Sequence, residues 1–138
     1  MTIKEILNKA KDANACNIID GVRTYKQLVD TYFSPQGQEF CVKHTFPQLE
    51  DLKPLKAKLE PFGVYVNSGV VDTTEHRVAF IGKTDGRVIA SGADAIYQIV
   101  VQHGANVSIE ASNYAVLNIT SIEGGNVVIN GDNTIVVL

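Results

Sequence analysis

The chain changes its hydrophobic rhythm near Gly63. Before that point apolar residues recur at the spacing of helix faces; after it they fall in short β-rich runs punctuated by Gly, Asn and Asp. Ile3, Ile6, Leu7 and Ala10 mark one face of a first helix. Thr2 and Glu5 stand at the capping-box spacing, and the helix ends near Asn14. Asp20-Gly21 reads as a turn. A second helix starts at Thr24, with Gln27 at the capping spacing and Tyr25, Leu28, Val29 and Tyr32 as its stripe. It stops at Ser34-Pro35, because the residue before proline is pushed out of the helical region. The same pair opens a third, short helix through His44, with Phe40 and Cys41 buried and Gly37 weakening it. From Pro47 a last helical stretch turns Leu49, Leu52, Leu55 and Leu59 inward, and Pro54 kinks or divides it. Residues 1–62 are therefore expected to form a helical cap or attachment region, and 63–138 a β-region.

The β-region repeats. Segments starting at Gly86, Ala105 and Gly125 align without gaps through eleven residues, stepping 19 residues (86 to 105) and then 20 (105 to 125). A period near twenty points to stacked coils. In this alignment Val88, Val107 and Val127 form one inward column, and Ala90, Ile109 and Ile129 the next. Ile89, Ser108 and Val128 between them face out, by the two-residue period of a strand. Gly92, Ala111 and Gly131 mark a bend, and Asp94, Asn113 and Asn133 form a turn ladder of residues that tolerate left-handed backbone. Ile96, Ala115 and Ile135 close the set. A looser first coil places Val64, Val66 and Ser68 against Val88, Ala90 and Gly92, with Val70 to Lys83 as a longer return. The fold class expected is α+β: a helical N-terminal part followed by a short parallel β-solenoid of about three coils.

Each coil has a second run, Ile96–Val101, Ala115–Ile119 and Ile135–Leu138, that is apolar on both faces. Such a strand must be covered on both sides, by the helical region or by another subunit. Tyr97, Val116 and Val136 are expected on one face and Gln98, Leu117 and Val137 on the other. The last coil has no evident cap, and an uncovered apolar edge invites pairing. Self-association as a homodimer or homotrimer follows, with Tyr97, Val116, Val136 and Leu138 as interface residues.

Charge and chemistry narrow the function. A net charge of −3 with scattered lysines argues against nucleic acid as a partner. Charged residues at Lys4, Glu5, Lys9, Lys11 and Asp12 are incompatible with a signal-peptide core, and no apolar run approaches membrane-spanning length. The expectation is a cytoplasmic product that uses no membrane, with Cys16 and Cys41 as reduced, partly buried thiols. Cys41-Val-Lys-His44 has a zinc-like spacing without a complete ligand set. Glu110 and Asn130 share an outward column with Ser91, but carboxylates are too scattered to read as a glycosidase pair. Gly82-Lys83-Thr84 resembles the end of a phosphate loop, yet Arg77 stands where the first glycine belongs; a tight turn is the reading. No cofactor, metal site or catalytic residue is implied.

Glu39-Phe-Cys-Val-Lys-His44, Pro61-Phe-Gly-Val-Tyr-Val66 and Arg77-Val-Ala-Phe-Ile-Gly82 together resemble a group of uncharacterised small proteins from gut bacteria and their phages. In that group a helical start leads into a glycine-punctuated β-rich tail. The resemblance implies a phage or prophage connection, hence a virion as location and other virion proteins as partners. The expected function is a non-enzymatic structural or binding module. The alternatives are a carbohydrate-binding or carbohydrate-cleaving β-helix protein and a bacterial interaction adaptor; sugar binding would draw on Tyr97 and Tyr114, the aromatics of the repeat.

Overall fold

The structure, a computed structural model, describes residues 1–138 apart from the side chains of Cys16 and Asn17. The expectation of a buried thiol at Cys16 therefore lies outside the described residues. The chain divides into two compact units, Met1–Phe62 and Gly63–Leu138.

In the first unit, helices α1 (Ile3–Asp12), α2 (Tyr25–Phe33), α3 (Pro35–His44), α4 (Leu49–Leu52) and α5 (Lys56–Leu59) follow one another. Their boundaries are set by chemistry visible in the chain. The Thr2 hydroxyl accepts the Glu5 amide, and Thr24 and Gln27 form a complete capping box. Ser34 closes α2 and caps α3 by accepting the Gly37 amide at 3.0 Å, with Pro35 as the first helical residue. Pro54 divides the last stretch: a 3-10 turn, Lys53–Leu55, separates α4 from α5. Leu52, Leu55 and Leu59 are buried while Leu49 is half-buried. Ala10, Ala15 and Ile19 form a small core with Leu7, Phe40 and Phe46 against it. Lys9 bridges to the buried Asp51, tying α1 to α4.

Gly37 reverses its expected role. A Cβ there would lie 1.9 Å from the Thr31 carbonyl oxygen, so only glycine lets α3 pass this close to the end of α2. The residue that weakens the helix by propensity is the one that allows it to pack.

The second unit is a parallel β-solenoid. One sheet has the order β1-β3-β5-β7-β9 and the other β2-β4-β6-β8, so every coil places one strand in each sheet. The first sheet comprises β1 (Val64–Val66), β3 (Arg77–Ile81), β5 (Ile96–Gln102), β7 (Val116–Ile122) and β9 (Val136–Val137). The second comprises β2 (Gly69–Thr73), β4 (Thr84–Ser91), β6 (Asn106–Ser112) and β8 (Asn126–Gly131). Three regular coils, β3–β4, β5–β6 and β7–β8, are thus preceded by a short one and followed by the start of another. Strands β4 and β6 alternate strictly between buried and exposed residues. The core between the sheets holds Val78, Phe80, Val88, Ile99, Val107, Ile109 and Leu117, all essentially buried. The corner from the first sheet to the second uses left-handed backbone at Asn67, Gly82, His103 and Glu123. Gly82-Lys83-Thr84 is such a corner, and the buried Thr84 hydroxyl donates to the Ile81 carbonyl at 2.8 Å.

The register corrects the ungapped alignment. Val88 pairs with Ile109, and Gly86 pairs with Val107, a step of 21 residues (86 to 107); the following step is 20 (107 to 127). The alignment was off by two residues in the first coil. A shift of two preserves which face a strand residue occupies, so inward and outward assignments survive while columns change. The packing reason is Phe80. A Cβ on Gly86 would sit 2.6 Å from its ring, so a buried phenyl fills the space that Val107 and Val127 fill in later coils. The earlier coil also differs from expectation. Val64–Val66 pairs with Ala79–Ile81, and Val70 belongs to β2, paired with Asp85. The "return" from Val70 to Lys83 is thus two strands, and the first coil is only 15 residues long (64 to 79).

Candidate functional site

Burial along the inward columns falls off in the last described coil. Each inward column is sealed by the coil that follows it. Val107, Ile109 and Leu117 are 3%, 0% and 0% exposed. Their partners one coil on are Val127, Ile129 and Val137. Val127 and Ile129 are only half-buried, and Val137 is 50% exposed. Leu138 is 65% exposed beside them. Ile135 provides a partial lid. It leans over Gly131, where a Cβ would lie 2.4 Å from its Cδ1.

Asn126 donates to Ala105, Val136 to Ala115 and Leu138 to Leu117, so these residues turn their peptide groups back into the solenoid. Strand residues alternate in direction, so Val127, Ile129 and Val137 turn theirs to the outer edge. Among the described residues no strand pairs beyond β8 or β9.

The polar ladder lies elsewhere than expected. Asn106 donates to Asp85 at 3.3 Å and Asn126 to Asn106 at 3.1 Å, along one outward column of paired positions. At the other corner Asn113 contributes its left-handed backbone, φ 54°, and Tyr114 a second at 63°. The bridging side chain there is Thr134, which accepts the Tyr114 amide at 3.0 Å. The Asp132 carboxyl is held below the usual carboxylate range by the Thr134 hydroxyl, then the Thr134 amide, with the Asn113 amide adding. Asp94, Asn113 and Asn133 are thus exposed turn residues rather than a bonded stack. The ungapped alignment already sets Asn106 beside Asn126; Asp85 joins them only when its strand is shifted by two residues.

The expected interface residues separate. Val136 lies outward in one column with Ile96 and Val116, and Leu138 is exposed. Tyr97 does not belong with them. It pairs with Leu117 and is buried inside, its ring stacked on His76 at 4.1 Å and its hydroxyl bonded to the Ser91 backbone. Leu117 and Val137 share its column, so the two faces assigned from sequence are corrected by one residue in the first coil. Runs apolar on both faces are found in β3 and β5, where Val78–Ile81 and Ile99–Val101 are buried throughout. In β7 the pattern breaks at the exposed Asn118.

The other candidate groups stay apart. Glu110 pairs with Ile89 and Asn130, not with Ser91, which pairs with Ser112. A shallow hollow of about 430 Å³ on the outer face of the second sheet includes Asp72, Arg87, Ser108 and Glu110, with Arg87 3.8 Å from Asp72. Tyr114 is exposed, and the burial of Tyr97 leaves it without the expected aromatic companion. Cys41 is buried and its thiol is pushed up to about 12 by burial, the opposite of the thiolate a metal requires. His44 lies against Phe40 with its ring tilted by 41°, ring centroids 4.6 Å apart. Among the described residues no three His, Cys, Asp or Glu side chains converge, and no helix is long and apolar enough to cross a membrane. Compared with family models, curated proteins and solved structures, the chain has no match, and its function is read from this geometry.

Proposed function

We propose that the protein is a non-enzymatic structural or binding module that associates with copies of itself through its β-solenoid. The observation that carries this reading is the apolar outward column of the first sheet, Ile96, Val116 and Val136, with Ile96 53% and Val136 48% exposed. Covering apolar surface of this kind is favourable at roughly 25 cal/mol per Å². The setting we propose, a phage or prophage virion, rests on the sequence resemblance alone. Sedimentation equilibrium from low micromolar concentration upward tests the association. The expected result is a reversible homo-oligomer; a monodisperse monomer throughout overturns the reading.

A further inference from the structure

The outer face of the second sheet bears a pattern of charge that matches itself. Every second side chain of β4 and β6 is exposed there, and β2 and β8 extend the same face. It carries three carboxylates, Asp72, Asp85 and Glu110, and one guanidinium, Arg87. Ile89 and Val128 stand among them, 58% and 59% exposed. We infer that this face is a contact between two copies of the chain, docked face to face across a two-fold axis so that Arg87 of each meets Glu110 of the other. The inference rests on the self-association reading above, and adds to the apolar column of the first sheet a second contact that charge can direct.

Strand pairing fixes where these groups lie. Asp72, Arg87, Ser108 and Val128 form one outward column, and Ile89, Glu110 and Asn130 the next. Arg87 and Glu110 are therefore diagonal neighbours, two residues apart along the strand and one strand apart across the sheet. With about 3.3 Å per residue and about 4.8 Å between strands, the point midway between them is the middle of the four-stranded face. Consider a two-fold axis in the plane of the face, through that point and perpendicular to the line joining the pair. It sets each Arg87 on the partner's Glu110. It also passes within about 2 Å of Ile89 and of Val128, so each meets its own counterpart. Asp85 falls on the partner's Asn130, and Asp72 between the partner's Ser91 and Ser112. The two sheets cross at about 70°, close to the orthogonal class of sheet packing.

Charge selects the occupant. In this register no carboxylate of the face is set against another, although the face carries three, and opposed like charges are what suppress wrong partners. Arg87 has donors for the contact: its Nε lies 3.8 Å from Asp72, which leaves the terminal guanidinium groups for a second carboxylate. A surface that complements itself about one axis specifies a second copy, and a two-fold contact closes at the dimer. Strands of five to eight residues in a sheet of four give a face of about 20 Å on a side. Two such faces bury on the order of 1,000 Å², the lower limit of a specific interface, so the dimer is reversible.

Charge reversal tests the contact, by sedimentation velocity on the full chain. Arg87→Glu and Glu110→Arg each bring like charges together twice in the dimer, and each should weaken it about tenfold or more. Mixed in equal amounts, the two variants restore opposite charges at both places. The mixed dimer should then return to within about threefold of the wild type. General repulsion predicts the reverse for Glu110→Arg, which removes negative charge from a chain of net charge −3. Both side chains are exposed, and matching melting curves by circular dichroism show that the fold is kept. Variants that associate as tightly as the wild type, or that fail to associate when mixed, overturn the face-to-face contact and leave association through the apolar column standing. A wild type that is monomeric at every concentration overturns both.

Discussion

Gly37→Ala separates helix propensity from packing more sharply than any other single change. By propensity, replacing a helical glycine such as Gly37, the third residue of α3, with alanine stabilises by up to about 1 kcal/mol. Gly37 has ordinary helical backbone, so nothing local opposes the change. The added Cβ, however, lies 1.9 Å from the Thr31 oxygen and 2.9 Å from its carbonyl carbon, where ordinary contact begins at 3.4 Å. The obstacle is backbone and cannot rotate away. Relief therefore requires α3 to move by more than an ångström relative to α2. That movement strains the Ser34 cap and the bond from the Gln38 side chain to the Tyr32 carbonyl, now 2.7 Å. Overpacking costs about 1–3 kcal/mol and a strained hydrogen bond about 1 more. Set against the propensity gain, the net expectation is a loss of about 2 kcal/mol. For a unit of this size that lowers the melting temperature by roughly 10 °C. Far-UV circular dichroism during thermal and urea unfolding measures it directly. A variant as stable as wild type, or more so, would refute the packing argument and return Gly37 to an accident of composition.

Two further predictions address the solenoid and the buried thiol. Gly86→Val, which would complete the column it shares with Val107 and Val127 in the observed register, should destabilise by about 2 kcal/mol because its Cβ meets the Phe80 ring at 2.6 Å. In a Phe80→Leu background the same change should cost at least about 1 kcal/mol less, and strict additivity in urea unfolding would refute the steric coupling. Burial pushes Cys41 from 9.0 up to about 12. Between those values the unfolded chain releases a proton that the folded one keeps, so stability falls as pH rises through that window. Burial, with Cys41 adding, also raises Tyr32 well above its ordinary value. Cys41→Ala should flatten the stability profile between about pH 9 and 12; parallel profiles would show that the thiol carries none of the slope.

A parallel coil hides its apolar columns by stacking another coil on them. In the last described coil Ile135 folds over Gly131. The polar ladder from Asp85 through Asn106 to Asn126 stays on the outer face and contributes alignment between coils rather than closure.

Much of this was legible in the residues because it is local. Thr24 with Gln27, Ser34 with Pro35, and Pro54 each act within one helical turn, and each set a boundary where expected. The change of period at Gly63 and the twenty-residue repeat announced helices followed by a parallel solenoid, and the two-residue alternation fixed which faces of β4 and β6 are buried. What escaped the sequence depends on neighbours distant along the chain. Gly37 looks like a flaw until the Thr31 carbonyl is beside it, and Gly86 aligns with Ala105 and Gly125 until strand pairing sets it opposite Val107, with Phe80 filling the space. Tyr97 reads as a surface residue when its run is aligned one position out, and its true partners are Leu117 and the Ser91 backbone. Composition and periodicity determine which elements form and which face is apolar, because those follow from backbone geometry. Register, and with it every column and ladder, was decided by tertiary packing, because only the volumes of opposing side chains distinguish a match from one displaced by two residues.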